Sequence, residues 1–383
     1  MATSDGIFLA RSQEIGDGIP LAVKDLFDTA ALVTTYGSAI FADHVPTDTA
    51  QSVRRLEAAG YVNVGKTNLH EFAYGITSEN PHFGTVPNPV APGRVAGGSS
   101  GGSAAALAAG LADAALGSDS GGSIRIPAAC CGVVGLKPTY GLLPTAGCFP
   151  LAPSFDHVGP MARTVEECEA MLAALAPEFS PMELDDPGEV RVGVERDLDA
   201  VDPLVAARFA EAAAQFPHRE AVSIVAAPPS TRELLSDLFQ REVADVHRDL
   251  FAEHGELYGE EVAAKIERCL DVPAEATARG EEARAEYRMR CLDAVDDLDL
   301  VLTPTLPCVA QPVGVGDEVL RPRFIRFTFP FNALGWPALA LPCGPAEDGL
   351  PASVQLVGKP GSDALVLAAG RLLASLVRGT AAA

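Results

Sequence analysis

The sequence predicts an α/β protein whose β-sheet is covered by helices on both faces, with a helical insertion in the middle of the chain. In the N-terminal half, short β-like runs alternate with helix-like runs, as in layered α/β folds. Residues 166–295 are instead charged, rich in alanine and helical in pattern, and the α/β rhythm returns at residue 296. We therefore expect one domain over residues 1–383, with an α/β core at 12–165 and 296–378 and a mainly helical insertion at 166–295.

The first half of the chain contains four elements with clear local signals. Residues 20–23 are apolar and predict a short buried strand, and residues 49–59 have helical spacing that Gly60 ends. Residues 61–64 are rich in β-branched valine, which predicts a strand. Residues 104–116 are rich in alanine and leucine, which predicts a helix over the whole stretch.

The second half carries weaker strand signals and one closing helix. Apolar runs predict strands at 190–194, 221–226, 298–302, 339–341 and 352–356, and a helix is expected at about 363–377. The first two of these strands fall inside the predicted insertion, and the others belong to the returning α/β core.

Composition and charge exclude several classes of protein. The chain has 383 residues, of which 48% are hydrophobic, so it can bury a large core and is not a disordered chain. No run approaches the ~18 apolar residues of a membrane span. The first residues lack a signal-peptide pattern, so we expect a cytoplasmic protein. The formal charge of −23 argues against nucleic acid and anionic membranes as partners.

The eight cysteines and seven histidines show no metal-ligand spacing. No C-x-x-C pair occurs, and no Cys/His pair has the spacing of a zinc finger. The cysteines are therefore expected to be buried free thiols, and neither a metal nor a disulfide is predicted.

Two motifs match familiar patterns but lack the structural context that those patterns need. Residues 60–67 fit the P-loop pattern, yet a helix precedes Gly60 and the intervening residues are themselves strand-like. Residues 98–102 fit the nucleophile elbow of α/β-hydrolases, with Asp156 and His157 following in the appropriate order. That elbow needs a strand directly before it, and a loop precedes it here. Both assignments are therefore rejected.

Three segments carry the candidate chemistry, at residues 18–25, 97–106 and 117–128. In the third, two glycines precede Ser123, which lets backbone N–H groups converge on one point, as in an oxyanion hole beside a nucleophile. Lys24 follows an apolar strand-like stretch, where burial lowers the pKa of an amine. A neutral lysine can accept a proton from serine, and no histidine lies in these segments.

Together these segments resemble the amidase signature family. The resemblance is dense over residues 12–170 and resumes over 295–375. Its most specific part is the Gly/Ser-rich stretch 97–127, followed by Cys-Gly-Val-Val-Gly-Leu-Lys-Pro-Thr at 131–139. The resemblance implies a large twisted mixed β-sheet covered by helices, with the middle region shaping the substrate site. It also implies that no cofactor is needed.

The resemblance further implies a Ser–cis-Ser–Lys triad. By motif position Ser123 corresponds to the acyl-enzyme nucleophile, Ser99 to the bridging serine after a cis peptide bond, and Lys24 to the general base. The implied oxyanion hole consists of the backbone amides of Ser120, Gly121, Gly122 and Ser123.

Supporting roles are expected for residues around the triad. Asp119 and Arg125 flank the nucleophile and are expected to orient it, with contact between Arg125 and an acidic substrate group as the alternative. Ser100 and Ser103 are expected to cap the Ala-rich helix.

The predicted function is that of a stand-alone amidase acting on small-molecule carboxamides, with anilides, aryl esters and carbamates as further expected substrates. Two alternatives stay open: the glutaminase-type component of a tRNA-dependent amidotransferase, and a urea-derivative hydrolase of the allophanate type. The first alternative requires glutamine and a partner subunit. For the stand-alone enzyme we expect a monomer or a homodimer.

Overall fold

The computed structural model describes residues 6–12 and 16–381. The strands are β1 (Phe8–Arg11), β2 (Ile19–Lys24), β3 (Tyr61–Thr67), β4 (Glu79–Asn80), β5 (Gly84–Thr85), β6 (Ala114–Asp119), β7 (Val134–Lys137), β8 (His157–Ala162), β9 (Val192–Glu195), β10 (Arg219–Val222), β11 (Leu300–Pro304), β12 (Ala338–Pro345) and β13 (Pro351–Gly358). The helices are α1 (Gln51–Ala58), α2 (Gly101–Ala108), α3 (Arg125–Cys131), α4 (Val165–Leu175), α5 (Pro203–Ala214), α6 (Pro229–His254), α7 (Glu260–Leu270), α8 (Ala276–Ala294), α9 (Asp317–Phe324), α10 (Phe329–Leu334) and α11 (Asp363–Ala381).

Within the described residues, eleven strands form one mixed sheet in the order β1-β3-β2-β6-β8-β7-β12-β13-β11-β9-β10, and β4 and β5 form a separate ribbon. Strand β2 runs parallel to both β3 and β6, whereas β6, β8 and β7 pair antiparallel. The sheet brings β2 and β6 side by side, so the chain segments that follow these two strands emerge at the same edge. The predicted α/β class is confirmed.

Helices cover both faces of this sheet, as the sequence predicts. On one face α1, α4, α5 and α11 bury an apolar layer against the strands, with Val53, Met171 and Leu367 fully buried. On the other face α2 and α3 pack closely, because Ala104 and Ala128 present only methyl groups to the sheet. The small side chains let these two helices approach the strand ends that carry the candidate site.

The helical insertion is narrower in the structure than the predicted 166–295. Helices α6, α7 and α8 pack against one another as a separate helical layer. However, β9 and β10 extend the main sheet beside β11, and α4 packs on β8. The sequence predicts both strands, but the polar, alanine-rich composition around them hid that they extend the main sheet, with β10 at its edge.

The predicted helix over 104–116 is wrong in its second half. Helix α2 ends at Ala108, Gly110 adopts a φ of +68°, and β6 begins at Ala114. Alanine and leucine favour helix locally, but β6 is buried between β2 and β8, where small apolar side chains fit a central strand.

Two sequence predictions concern the state of the cysteines and the presence of a membrane-spanning helix. All eight cysteines are free, and seven of them are buried, with Cys148 half-buried. Among the helices that the structure describes, none combines the length and the apolar character needed to cross a bilayer.

We expect Gly159→Ala to destabilise the fold. Gly159 lies in β8, and a methyl group there would clash with the carbonyl oxygen of Leu136 and approach Ile124 to 2.8 Å. Such overpacking costs about 1–3 kcal/mol of unfolding free energy, measurable by urea denaturation. Gly255→Ala is the control, because its added methyl group would meet only the Phe251 ring at 3.6 Å. Equal unfolding midpoints for the two variants would contradict this account of the packing.

Candidate active site

The amine of Lys24 is the buried centre of the site. Lys24 ends β2, is fully buried, and donates hydrogen bonds to Ser99 Oγ at 2.6 Å and to Ser118 Oγ at 2.8 Å. Both partners are neutral hydroxyl groups, so no carboxylate is in contact with the ammonium form. Burial lowers the pKa of Lys24 to about 7. The charges of Cys148, Asp119 and Asp156 act in the opposite direction and raise this pKa, but more weakly. The amine is therefore deprotonated in a large fraction of molecules near neutral pH.

Ser99 follows a glycine that no larger residue can replace. The Gly98–Ser99 peptide bond is cis. A Cβ atom on Gly98 would approach Ile76 and Ser78 to 2.9 Å, so only glycine fits there. The carbonyl of Ser99 accepts hydrogen bonds from the His70 amide and the Ser78 hydroxyl.

The turn between β6 and α3 is organised by Asp119. This carboxylate accepts hydrogen bonds from the backbone amides of Gly122 at 2.7 Å and Ile124 at 3.1 Å. It also accepts bonds from the side chains of Arg125 and Asn332. Although burial alone raises the pKa of a carboxyl group, the charge and hydrogen bonds of Arg125 hold the pKa of Asp119 well below its usual range.

Arg125 is enclosed by hydrogen-bond acceptors of the protein in this structure. Its guanidinium is fully buried and donates to Asp119, to Gln355 Oε1 at 3.0 Å and to Asn332 Oδ1 at 2.7 Å. These partners engage the three guanidinium nitrogens, so the expectation that Arg125 orients the turn fits the geometry. Contact between Arg125 and a substrate does not fit this geometry, because each guanidinium nitrogen already has a protein partner.

The turn presents three free backbone amides and a free hydroxyl. Within the described part of the chain, the N–H groups of Ser120, Gly121 and Ser123 have no hydrogen-bond acceptor, whereas that of Gly122 donates to Asp119. The Ser123 hydroxyl likewise has no partner among the described residues. Gly122 has a φ of +131°, and a Cβ atom there would clash with Thr328, so glycine is required.

Ser123 opens onto a cavity beside the sheet with a volume of about 1190 Å³. Ser120 and Gly121 line the same cavity. Its apolar wall comes from the insertion and from α10, through Leu235, Phe239, Tyr287 and Phe329. Its charged rim comprises Asp197, Asp199, Arg232, Lys265, Arg268, Glu318, Arg321 and Arg326. A cavity of this size accommodates a small molecule with its reacting carbon beside Ser123.

Comparison with known proteins agrees with this geometry. A family model described as Amidase matches residues 10–367. The chain belongs to the amidase family. It is thus an enzyme that acts on amide C–N bonds, as the resemblance in the sequence implied.

The relatives of this amidase-family chain include two named kinds of protein. The A subunit of the glutamyl-tRNA(Gln) amidotransferase of Natronomonas pharaonis is 35% identical over 405 residues, covering 93% of this chain and 95% of that protein. The protein of the same name from Symbiobacterium thermophilum is 37% identical over 395 residues, covering 91% and 81% respectively. A crystal structure of an amidase superposes with a TM-score of 0.86 at 36% identity, covering 94% of this chain and 84% of that chain.

Two structural expectations for this amidase-family site need correction. Ser100 stands at the N-terminus of α2 but does not cap it, since its hydroxyl donates to the Ser118 carbonyl at 3.2 Å. Ser103 donates to the Leu116 carbonyl instead, so both hydroxyls tie α2 to β6. The sequence places the Gly122 amide in the oxyanion hole, but in the structure this amide donates a hydrogen bond to the Asp119 carboxylate.

The Ser99–Ser123 contact of the predicted relay is absent among the described residues, because the Ser123 hydroxyl is unpartnered. The backbone nevertheless joins the two segments, since the Ser100 amide donates to the Ser123 carbonyl at 3.1 Å. Catalytic hydrogen bonds are often made only once substrate is bound.

The two rejected motifs have the structures expected of them. Residues 61–67 form β3, and helix α1 precedes Gly60. No strand leads directly into Ser99 and Ser100 in the described structure. Lys66 of the P-loop pattern is buried and paired with Asp25 at 2.9 Å, and His157 directs Nδ1 at the carbonyl of Phe155.

Several residues that shape the site carry little or no signal in the sequence. Ser118, near the end of β6, contacts the amine of Lys24. Its position in the sequence, two residues before Ser120, is the signal that could have revealed it. Asn332 and Gln355 complete the surroundings of Arg125 from α10 and β13. Thr328 donates to the Gly121 carbonyl at 2.7 Å. The last three lie about 200 residues from the turn and carry no local signal.

One group of potential metal ligands occurs in the described part of the chain, formed by His70, Glu261 and Asp317. The ammonium of Lys265 lies between the two carboxylates, at 2.7 Å from Glu261 and 2.6 Å from Asp317. Lys265 therefore contacts both acids at the rim of the cavity, and Arg321 also pairs with Asp317.

We expect Arg125→Met to destabilise the protein by about 3–5 kcal/mol, because it leaves Asp119 charged and buried without its cation. The free energy of unfolding in urea measures the effect. Arg268→Met is the control, because that exposed pair with Glu318 contributes at most about 1 kcal/mol. A loss of similar size in both variants would mean that the buried pair does not organise the turn.

Proposed function

We propose that the chain hydrolyses carboxamides through an acyl-enzyme formed on Ser123. The observation that carries this proposal is the fully buried Lys24 amine, with a pKa lowered to about 7 and its Nζ 2.6 Å from Ser99 Oγ. A base poised near the working pH beside a bridging hydroxyl suits proton abstraction from a serine nucleophile. The proposed triad is therefore Lys24, Ser99 and Ser123.

In the proposed reaction, neutral Lys24 accepts a proton from Ser99 while Ser99 accepts one from Ser123. The Ser123 oxygen attacks the carbonyl carbon of the amide, and the protonated relay returns the proton to the departing nitrogen. Water then attacks the acyl group and gives a proton to the same relay, which returns it to the Ser123 oxygen as the carboxylic acid leaves. Substrate binding is expected to bring Ser99 and Ser123 into hydrogen-bond contact.

The proposed oxyanion hole uses the amides of Ser120, Gly121 and Ser123. Their N–H groups are free, and the hydrogen bond from the Gly122 amide to Asp119 fixes the turn on which they lie. Each donor held in place before the reaction contributes about 3 kcal/mol to transition-state stabilisation. We assign Asp119, Arg125 and Ser100 to positioning rather than to contact with substrate.

A second candidate is favoured by the names of the relatives. Proteins 35–37% identical to more than nine-tenths of this chain are named as amidotransferase A subunits, which supports a glutaminase-type role over the stand-alone amidase that the sequence suggested first. In that role glutamine is the amide, and the ammonia is used by a partner subunit. The allophanate-type alternative has weaker support, because the allophanate hydrolase of Kluyveromyces lactis is 25% identical, with a TM-score of 0.87 over 98% of this chain.

Ser123→Ala is expected to lower kcat by a factor on the order of 10⁴ or more, because the acyl-enzyme cannot form. Purified protein is incubated with glutamine, other primary amides, anilides, carbamates and aryl esters, and released ammonia, amine or alcohol is measured. Intact-protein mass spectrometry of an acylated sample locates the adduct. An adduct that survives in Ser123→Ala would disprove this assignment of the nucleophile.

The same panel separates the two candidates. Turnover of several amides by the chain alone indicates a stand-alone amidase. Glutaminase activity that appears only when the remaining subunits of an amidotransferase are added indicates the amidotransferase component. Ser123→Ala accompanies both assays, so that a contaminating activity is recognised.

The pH dependence of kcat/KM is expected to show an acid limb near pH 7. Lys24 acts as a base only when neutral, and burial lowers its pKa to about 7, so activity rises as the pH increases through 7 and then levels. A stopped assay between pH 5 and 9 with a neutral amide measures the limb. A rate that still rises about tenfold per pH unit at pH 9, as a lysine with the unperturbed pKa would give, would exclude Lys24 as the base.

A further inference from the structure

A second cavity lies behind the partition that carries Ser120. Its volume is about 270 Å³, and its wall includes Ser118, Cys148, Asp156 and His157. Ser120 and Leu151 line both this cavity and the large one, so these two residues separate them. Asp156 fixes both residues, because it accepts bonds from the Ser120 hydroxyl at 2.6 Å and the Leu151 amide at 2.9 Å.

The wall of this cavity contains a buried acceptor without a partner. His157 is 3% exposed, and its Nδ1 lies 2.6 Å from the Phe155 carbonyl and 3.2 Å from the Asp119 carbonyl. Nδ1 therefore carries the ring proton, and Nε2 is an acceptor. Within the described residues, Nε2 has no hydrogen-bond partner. An unpaired buried acceptor that lines a cavity indicates a bound donor there.

Water has the chemistry and the size to be that donor. A water molecule occupies about 30 Å³, so several fit in this volume, and each needs two to four polar partners. The Ser118 and Ser120 hydroxyls, the Asp156 carboxylate and His157 Nε2 offer such partners. Residues 145–147 of the wall are exposed, so the cavity has access to solvent.

One wall residue connects this cavity to the proposed base. Lys24 itself is fully buried, and its amine contacts the hydroxyls of Ser99 and Ser118. Ser99 lies on the side of the nucleophile, whereas Ser118 lines the second cavity. When an acyl group occupies the large cavity, Ser118 provides a way for the amine to exchange protons with solvent.

We propose that this second cavity, the water chamber, is a proton outlet for Lys24; the inference rests on the role of Lys24 in the proposed function. The Lys24 ammonium gives a proton to the Ser118 oxygen while the Ser118 hydroxyl proton passes to a chamber water. That water hands its proton to bulk water or buffer through the exposed wall. Lys24 ends neutral, Ser118 is unchanged, and one proton has left the protein.

The outlet is needed for some substrates more than for others. With an amide, the departing ammonia carries away the proton that Lys24 took from the nucleophile. With a p-nitrophenyl ester, the phenolate leaves without a proton, and Lys24 stays protonated. It must then lose that proton before it can activate the deacylating water. Blocking the chamber therefore slows ester deacylation more than amide hydrolysis.

The test enlarges two residues of the chamber wall with Cys148→Leu and Ala146→Leu. Burst kinetics with p-nitrophenyl acetate give the acylation amplitude and the deacylation rate, and a primary amide that the wild-type enzyme hydrolyses gives the comparison rate. We expect the ratio of ester deacylation to amide turnover to fall at least about tenfold in both variants. Cys148→Ser, which keeps volume and polarity, is expected to keep the ratio. Ala274→Leu, at an exposed remote position, is expected to leave both rates unchanged.

Each outcome bears on one of the two proposals. Absence of a burst in the wild-type protein, with no adduct on Ser123, contradicts the proposed function. A normal burst with an unchanged ratio in both leucine variants overturns the outlet while leaving the nucleophile in place. If Cys148→Leu does not fold, Ala146→Leu decides the matter. A crystal structure of the wild-type protein should show water bonded to His157 Nε2, and a dry chamber would also overturn the inference.

Discussion

The carboxylate of Asp119 is the constraint on which the geometry of the site depends. It stands at the end of a central strand, where the chain must turn sharply to begin α3, and it accepts the amides of Gly122 and Ile124 that the turn leaves without strand or helix partners. Its charge is balanced by Arg125, which α10 and β13 hold in place. Because each group is fully buried, loss of either leaves an expensive unpaired charge. The free amides beside Ser123 are a consequence of this arrangement.

The position of the proposed base follows from a contrast among buried lysines. Lys66 and Lys265 are each paired with a buried carboxylate, which compensates their charge inside the protein. Lys24 has only hydroxyl partners, so burial is not offset by a contacting anion and its amine can be neutral near pH 7. Lys137 also lacks a contacting carboxylate, and burial lowers its pKa strongly, but it lines none of the cavities described above. Lys24 combines a lowered pKa with contacts to two serine hydroxyls and to no carboxylate.

The sequence predicts the parts of the site that local chemistry determines. Glycines before Ser123, an apolar strand before Lys24 and the Gly/Ser-rich stretch around Ser99 are visible because each requirement lies within a few residues. The partners from α10 and β13 are invisible, since Asn332 and Gln355 are ordinary polar residues until the fold brings them to Arg125. The same limit explains why a helix is wrongly predicted where β6 lies, because burial in the sheet overrides the helical preference of alanine there. It also explains why α2 begins without a side-chain cap.

The acidity of the chain and the charge of its cavity are separate quantities. The net charge of −23 governs long-range repulsion of anions, and the sequence prediction about partners rests on that value. At the cavity, five cationic and three acidic side chains line the wall, and Glu261 and Asp317 also contact these cations. Within a Debye length, about 8 Å at physiological salt, a substrate carboxylate therefore meets nearby charges of both signs rather than the net charge of the chain. Since selectivity in a cleft depends on nearby charges more than on the total, the acidic surface does not exclude an amino-acid amide such as glutamine.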